Sequence, residues 1–225
     1  GKVVFVPEAI PGERLLVELT EEKGDFNRAK IVEILEPSPQ RITPKCPFYG
    51  RCGGCDFQFI DNTSQVAYKE MMVRENLERI GKIDLSQIEF LGSVVKDEWG
   101  YRNRVRFHTQ GNKVGFLERQ SNTLVTIDYC PVLCDQLNLY LKEKRGELLK
   151  QRIGSVNALA GESEVTFTRR PVALTVNDKT LYCDAKAFFQ SNHYILPELV
   201  TYVKETVRGE RILDLYSGVG TFAAF

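Results

Sequence analysis

Three cysteines stand close together in "CPFYGRCGGC": Cys46, Cys52 and Cys55, a C-x5-C-x2-C spacing. Two intervening residues let neighbouring thiolates turn onto one centre, and Gly50, Gly53 and Gly54 supply the backbone freedom for a tight wrap. Structural zinc sites usually open with a C-x2-4-C pair, which the five-residue gap exceeds. It sits one residue beyond the plant-type iron–sulfur spacing, C-x4-C-x2-C with a distant fourth cysteine. Cys130 or Cys134 can supply that fourth thiolate, and the plainer alternative is a loop of reduced thiols without metal. In a chain with no export signal such spacing favours metal over disulfides. Cys183, in the strand-like "TLYCDA", reads as a buried structural thiol.

A second set lies in "YRNRVRFH". As a strand, its period of two places Arg102, Arg104, Arg106 and His108 on one face and Tyr101, Asn103, Val105 and Phe107 on the other. Three guanidiniums on one sheet face suit phosphate oxygens, with His108 adding charge or a hydrogen bond. The competing reading is a solvated face paired with carboxylates. A third set closes the chain: "RILDLYSGVGTFAAF" puts Asp214 at the end of a strand-like run, followed by Gly218-x-Gly220. Glycines at a strand-to-helix turn let backbone approach a ligand closely. The pattern also satisfies G-x-G-x-x-A through Ala223, but a lone G-x-G is weak.

Positioning these groups needs a folded scaffold, and the composition permits one. The 225 residues are 43% hydrophobic and 27% charged, ordinary globular usage. Lys plus Arg equals Asp plus Glu at 30 each, so nucleic-acid binding must rest on local charge. No apolar run approaches the ~18 residues a membrane span requires, and a cytoplasmic protein is expected. Residues 2–43 read as short strands ("KVVFV", "RLLVELT", "AKIVEILEP") with Pro/Gly punctuation, predicting a small barrel, and "EPSPQRITPK" reads as a linker. "TSQVAYKEMMVRENLERIGKI" predicts a helix with Val66, Met72, Val73, Leu77 and Ile80 on one face and Gly81 as its stop. Strands are then expected in "IEFLGSVV", "YRNRVRFHTQ", "KVGFLER" and "TLVTIDY". A helix is expected over "PVLCDQLNLYLKEKRGELLKQ", from Pro131 to Gln151. Strands "EVTFTRR", "VALTV" and "TLYCDA", the helix "ILPELVTYVKETV" and a short buried strand "RILDLY" complete the reading.

Taken in order, "PGERLLVEL", "ILEPSPQRI", "CPFYGRCGGC", "YRNRVRFH", "DYCPVL", "AFFQSN" and "DLYSGVGTF" resemble the RNA 5-methyluridine methyltransferases. The likeness is strongest to the subgroup that methylates 23S ribosomal RNA, and it covers that family's N-terminal half. The resemblance implies a multi-domain chain: an OB-like TRAM β-barrel at 1–43, its N-terminal edge missing; a mixed α/β iron–sulfur and RNA-binding domain at 44–187; and the first strand and turn of a Rossmann-like methyltransferase domain at 188–225. The helix at 63–81 resembles a segment that packs on the methyltransferase domain. Cys46, Cys52, Cys55 and Cys130 would hold a [4Fe–4S] cluster, leaving Cys134 as a helix residue. Gln190, Tyr216 and Thr221 would contact S-adenosylmethionine beside Gly218 and Gly220, with Asp214 supporting the turn. Arg102, Arg104, Arg106 and His108 are the RNA-binding candidates.

In that family a cysteine thiolate adds to C6 of a flipped-out uracil, making C5 nucleophilic toward the methyl group. The nucleophile and base are expected beyond Phe225, so no catalytic residue is assigned here. The expected activity is S-adenosylmethionine-dependent methylation of uridine C5 in RNA, 23S ribosomal RNA foremost and transfer RNA as the variant. A non-catalytic RNA-binding protein is the alternative from another class. Radical methylthiolating enzymes use C-x3-C-x2-C, against which the five-residue gap argues.

Overall fold

The computed structural model describes residues 1–150 and 154–225. The chain divides into two units, one of Gly1–Tyr49 with Cys55–Leu91, the other of Gly50–Gly54 with Gly92–Phe225. The cysteine loop thus contributes to both.

In the first unit, three apolar runs between Pro/Gly turns form β1 (Val3–Phe5), β2 (Arg14–Glu22) and β3 (Phe26–Glu36). The strand order is β1-β3-β2, with β2 antiparallel and β1 parallel to the central β3. The three strands fall where the apolar runs predict, but the sheet stays open, and no closed barrel forms among the described residues. Val3, Phe5, Leu16, Leu19 and Val32 remain exposed on it.

The Pro-rich stretch after β3 is anchored rather than loose. Arg41 meets the fully buried Glu13 carboxylate through Nε (2.5 Å) and Nη2 (2.7 Å). That carboxylate also accepts the backbone N–H of Ile10 and of Ser38. Arg41 hydrogen-bonding foremost holds the Glu13 carboxyl at about 2, far below the usual range.

Helix α1 (Asn62–Glu75) starts where Asp61 accepts the Ser64 N–H, and it runs through a π-helical turn, Asn76–Ile80. The expected helix is present, but its predicted apolar face is not covered within this unit: Met72, Val73 and Ile80 are exposed.

The second unit is built on a five-stranded antiparallel sheet, order β6-β5-β4-β7-β8. Its strands are β4 (Arg104–Gln110), β5 (Lys113–Leu117), β6 (Leu124–Thr126), β7 (Ser155–Ala160) and β8 (Val165–Thr166). A hairpin of β9 (Val172–Val176) and β10 (Lys179–Cys183) follows. Helices α2 (Asp135–Lys142), α3 (Arg145–Lys150) and α4 (Leu196–Thr206) complete it, the last carrying Pro197 in its first turn, where a missing N–H costs nothing. One core joins Leu159, the β9–β10 hairpin, Phe189 and α4, with Val219, Phe222 and Phe225 packed against it.

Three further expectations differ from the fold. "IEFLGSVV" forms no strand; Leu91, Val94 and Val95 are exposed in irregular backbone. The helix predicted from Pro131 begins only at Asp135 and breaks before Arg145, while Gln151 lies outside the described residues. The carbonyls of Pro131 and Val132 are already taken by the N–H groups of Gly100 and Arg102, so tertiary pairing holds these residues out of the helix. "RILDLY" is not a strand and not buried: Ile212, Leu213, Leu215 and Tyr216 are exposed. A strand needs a paired neighbour, and none among the described residues lies beside it.

Candidate nucleic-acid and cofactor sites

The arginine strand takes the expected alternation along β4. Val105 and Phe107 are buried, Phe107 completely, while Arg106 is exposed and Arg104 and His108 are half-buried. Arg102 is a correction, because it lies outside the strand. Its N–H donates to Val132, its carbonyl accepts from Cys134, and it bridges Asn192, so its backbone cannot also join the β4 ladder. Its Nε instead donates to the Arg104 carbonyl at 3.2 Å. Arg106 Nε donates to Asn157 Oδ1 at 3.1 Å on neighbouring β7. Arg104 Nε is buried with no hydrogen-bond partner in the structure. Among the described residues no carboxylate pairs with these three arginines. Burial, then the Arg106 charge, lowers the His108 pKa, so its imidazole stands neutral at neutral pH and offers hydrogen bonds rather than charge.

The root of this strand is laced to "AFFQSN". Asn103 donates its N–H to Ser191 at 3.0 Å, and His193 donates its N–H to Tyr101 at 3.1 Å. Phe189 is buried in the shared core, which leaves its neighbour Phe188 exposed and Gln190 half-buried. The glycine turn lies against the same segment. Gly218 has φ +60°, and a Cβ there would come within 3.4 Å of the Phe188 carbonyl. Glycine therefore suits the left-handed conformation, while the Phe188 carbonyl stands at ordinary contact distance. Thr221 is buried, while Tyr216 is exposed at φ +60°. One oxygen of Asp214 is buried without a hydrogen-bond partner. Buried orphans of this kind are uncommon in folded proteins and are normally met by water or ligand. The structure thus brings Gln190's segment and the glycine turn together, and ties both to the arginine strand.

The cysteines are divided between the units: Cys46 and Cys55 belong to the first, Cys52 and Cys130 to the second. None of the six is in a disulfide. Cys46, Cys52 and Cys55 are half-buried, which suits ligands reached from solvent. Cys130 is buried and clamped by Asn138, whose Oδ1 accepts the Cys130 N–H (2.9 Å) while its Nδ2 donates to the Cys130 and Leu133 carbonyls. Cys134 is the N-cap of α2 rather than a residue within it, and burial pushes its thiol pKa up, as it does for Cys183. The donor chemistry suits a thiolate cluster. Among the described residues, however, no three His, Cys, Asp or Glu side chains stand together as a metal-holding group.

Sequence reasoning missed the Asn138 clamp. Its signal was a polar residue at a buried helix position, one turn after Cys134.

No family model matches the chain. The 23S rRNA (uracil(1939)-C(5))-methyltransferase RlmD of Vibrio cholerae is 31% identical over 273 residues, covering 98% of this chain and 61% of its own length. Over nearly its whole length the chain is similar to the RNA uracil-C5-methyltransferase family.

Members of that family with the same name include those of Vibrio campbellii, 30% identical over all of this chain and 52% of its own length, and Xanthomonas euvesicatoria, 34% identical over 76% of this chain and 40% of its own. The chain therefore spans about 40 to 61% of these relatives. Among solved structures, the Pyrococcus abyssi tRNA (uracil-54, C5)-methyltransferase in complex with S-adenosyl-L-homocysteine superposes with a TM-score of 0.71 at 22% identity. The match covers 98% of this chain and 65% of that one, and it shows a shared fold.

Proposed function

We propose that the protein carrying this chain methylates C5 of uridine in RNA, 23S ribosomal RNA foremost, with S-adenosylmethionine as donor. The observation that carries the reading is the packing of the glycine turn on Phe188 beside Gln190, in a segment laced to the arginine strand through Asn103 and Ser191. One element suited to a cofactor and one suited to phosphates are thereby tied together by backbone hydrogen bonds. The identity to 23S rRNA methyltransferases over nearly the whole chain supports the same conclusion.

Within this reading Gln190, Tyr216 and Thr221 contact S-adenosylmethionine, Gly218 and Gly220 let the backbone approach it, and the orphaned Asp214 oxygen supports that wall. Arg102, Arg104 and Arg106 contact phosphates, with His108 as a neutral hydrogen-bonding partner. The first unit's open sheet belongs to a TRAM barrel. The spacing of Cys46, Cys52 and Cys55, with the clamped Cys130, supports a [4Fe–4S] cluster held by these four. The cluster would supply a four-thiolate crosslink at the cysteine loop. Cys134 and Cys183, buried with raised thiol pKa values, are structural. The cytoplasm, where ribosomal RNA is processed, is the proposed location.

The test is methyl transfer from labelled S-adenosylmethionine to 23S RNA isolated from a strain lacking the gene. Label recovered as 5-methyluridine supports the proposal. Label on another base, or none, overturns it.

A further inference from the structure

Two of the cysteines sit in turns built alike, each within its own unit. Cys46-Pro47-Phe48-Tyr49 and Cys130-Pro131-Val132-Leu133 both place proline second, where its fixed φ suits a type I turn, and neither Phe48 nor Val132 has a positive φ. In each turn the cysteine carbonyl accepts the N–H three residues on, from Tyr49 and from Leu133, both at 3.1 Å. In each, the cysteine N–H donates to the oxygen of a carboxamide further along the chain: Gln58 for Cys46 (3.1 Å) and Asn138 for Cys130 (2.9 Å). Both of these residues are only 8% exposed. Gln58 is seated beside buried Phe59 and Ile60, and Asn138 follows buried Leu137 on α2. Neither Cys134 nor Cys183 precedes a proline, and the Cys134 N–H goes to a backbone carbonyl, that of Arg102.

We infer that these two turns are ligand arms set before any cluster binds, and that Gln58 and Asn138 are the positioning residues that set them. The inference rests on the proposed [4Fe–4S] reading and deepens it: it names what aims two of the four thiolates, and it singles out Cys130 over Cys134. With N–H and carbonyl both engaged, the cysteine backbone is fixed, and only rotation about the side-chain bond remains to aim the sulfur. The N–H of a half-buried cysteine such as Cys46 can be met by water, so satisfying it does not require a buried carboxamide. What the carboxamide adds is a fixed direction. Groups that orient a metal ligand without touching the metal govern affinity through that ligand. The same turn and the same kind of acceptor recur in both units, which chance packing in one of them would not produce.

The test uses the 225-residue chain, purified without air and, in parallel, stripped of iron by a chelator. In the iron-free wild type the Cys46 and Cys130 amides are expected to be protected from hydrogen exchange. Gln58→Leu is expected to expose the Cys46 amide and leave Cys130 protected, and Asn138→Leu to do the reverse. Each is expected to weaken iron retention roughly 10- to 100-fold, read as the chelator concentration that bleaches half the visible absorbance. Gln58→Glu and Asn138→Asp, which keep the accepting oxygen, are expected to restore part of the loss. Circular dichroism matching the wild type confirms that the variants fold. Free exchange of both amides in the iron-free wild type would show that the cluster sets the arms, and overturns the inference. Lost protection with iron held as firmly as in the wild type also overturns it, leaving the carboxamides a structural role only. A wild-type chain that carries no iron overturns the cluster reading itself, and the arms with it.

Discussion

Asn103 and Ser191 are joined by a backbone hydrogen bond of 3.0 Å across 88 positions of sequence, the difference between their numbers. Around it, His193 binds the Tyr101 carbonyl through both its N–H and its ring, at 3.1 and 2.7 Å. The arginine strand and the glutamine segment therefore form one mechanical element. Residues in such a ladder open together. In native-state hydrogen exchange, the Asn103 and His193 amides are expected to show opening free energies within about 1 kcal/mol of each other. Strong protection of Asn103 with near-free exchange of His193 would show two independent segments.

The Glu13–Arg41 pair gives the first unit a defined acid response. The Glu13 carboxyl is held at about 2 in the fold against 4.5 ordinarily, mainly by Arg41. Its stabilisation is complete above about pH 4.5 and is lost as pH falls from there toward 2. Urea unfolding at a series of pH values is expected to show stability falling across that window. Arg41→Ala is expected to cost roughly 2–4 kcal/mol at neutral pH, because a buried carboxylate is left without its partner, and to flatten the acid slope. A variant as acid-sensitive as the wild type would place the response elsewhere.

For the cysteine loop, protein purified without air is expected to be brown and to carry about four irons per chain. Cys130→Ser is expected to bleach the visible absorption, and Cys134→Ser to leave it. Stoichiometric zinc with negligible iron would reject the cluster. The reverse pattern in the two variants would make Cys134 the fourth ligand, against its place as the buried cap of α2.

The arginine strip predicts a salt signature. Arg104→Ala and Arg106→Ala are each expected to weaken RNA binding similarly across sequences and to reduce the salt slope by ~0.7 to 0.9 for each phosphate interaction removed. Arg102→Ala is expected to do the same while also loosening the Arg104 carbonyl it holds. Arg170, which already pairs with Glu164 at 2.8 Å, is the control and should move the slope less. Unchanged slopes in all three strip variants, with folding intact, would make the strip a solvated face.

Much of this was legible because local pattern and tertiary environment agree. The alternation in "RVRFH" appears directly as buried Val105 and Phe107 beside accessible Arg106, since one face of β4 covers a core. The apolar runs of the first 36 residues also became strands, although most of their apolar side chains stay exposed. Legibility failed where distant partners decide the outcome. Periodicity gave no sign that Arg102 would spend its backbone on Val132 and Cys134, and that pairing both delayed the strand to Arg104 and delayed the helix to Asp135. "RILDLY" has a strand's composition, but composition supplies no neighbour to pair with. The Asn138 clamp and the Glu13–Arg41 pair link residues whose roles emerge only when the chain is folded.

The central claim is uridine C5 methylation of 23S ribosomal RNA, and the most direct measurement is a nucleoside map of that RNA from cells with and without the gene. The account predicts that one 5-methyluridine of 23S RNA disappears on deletion and returns when the gene is restored. An unchanged 23S map, with 5-methyluridine missing from transfer RNA or from no RNA at all, would contradict it.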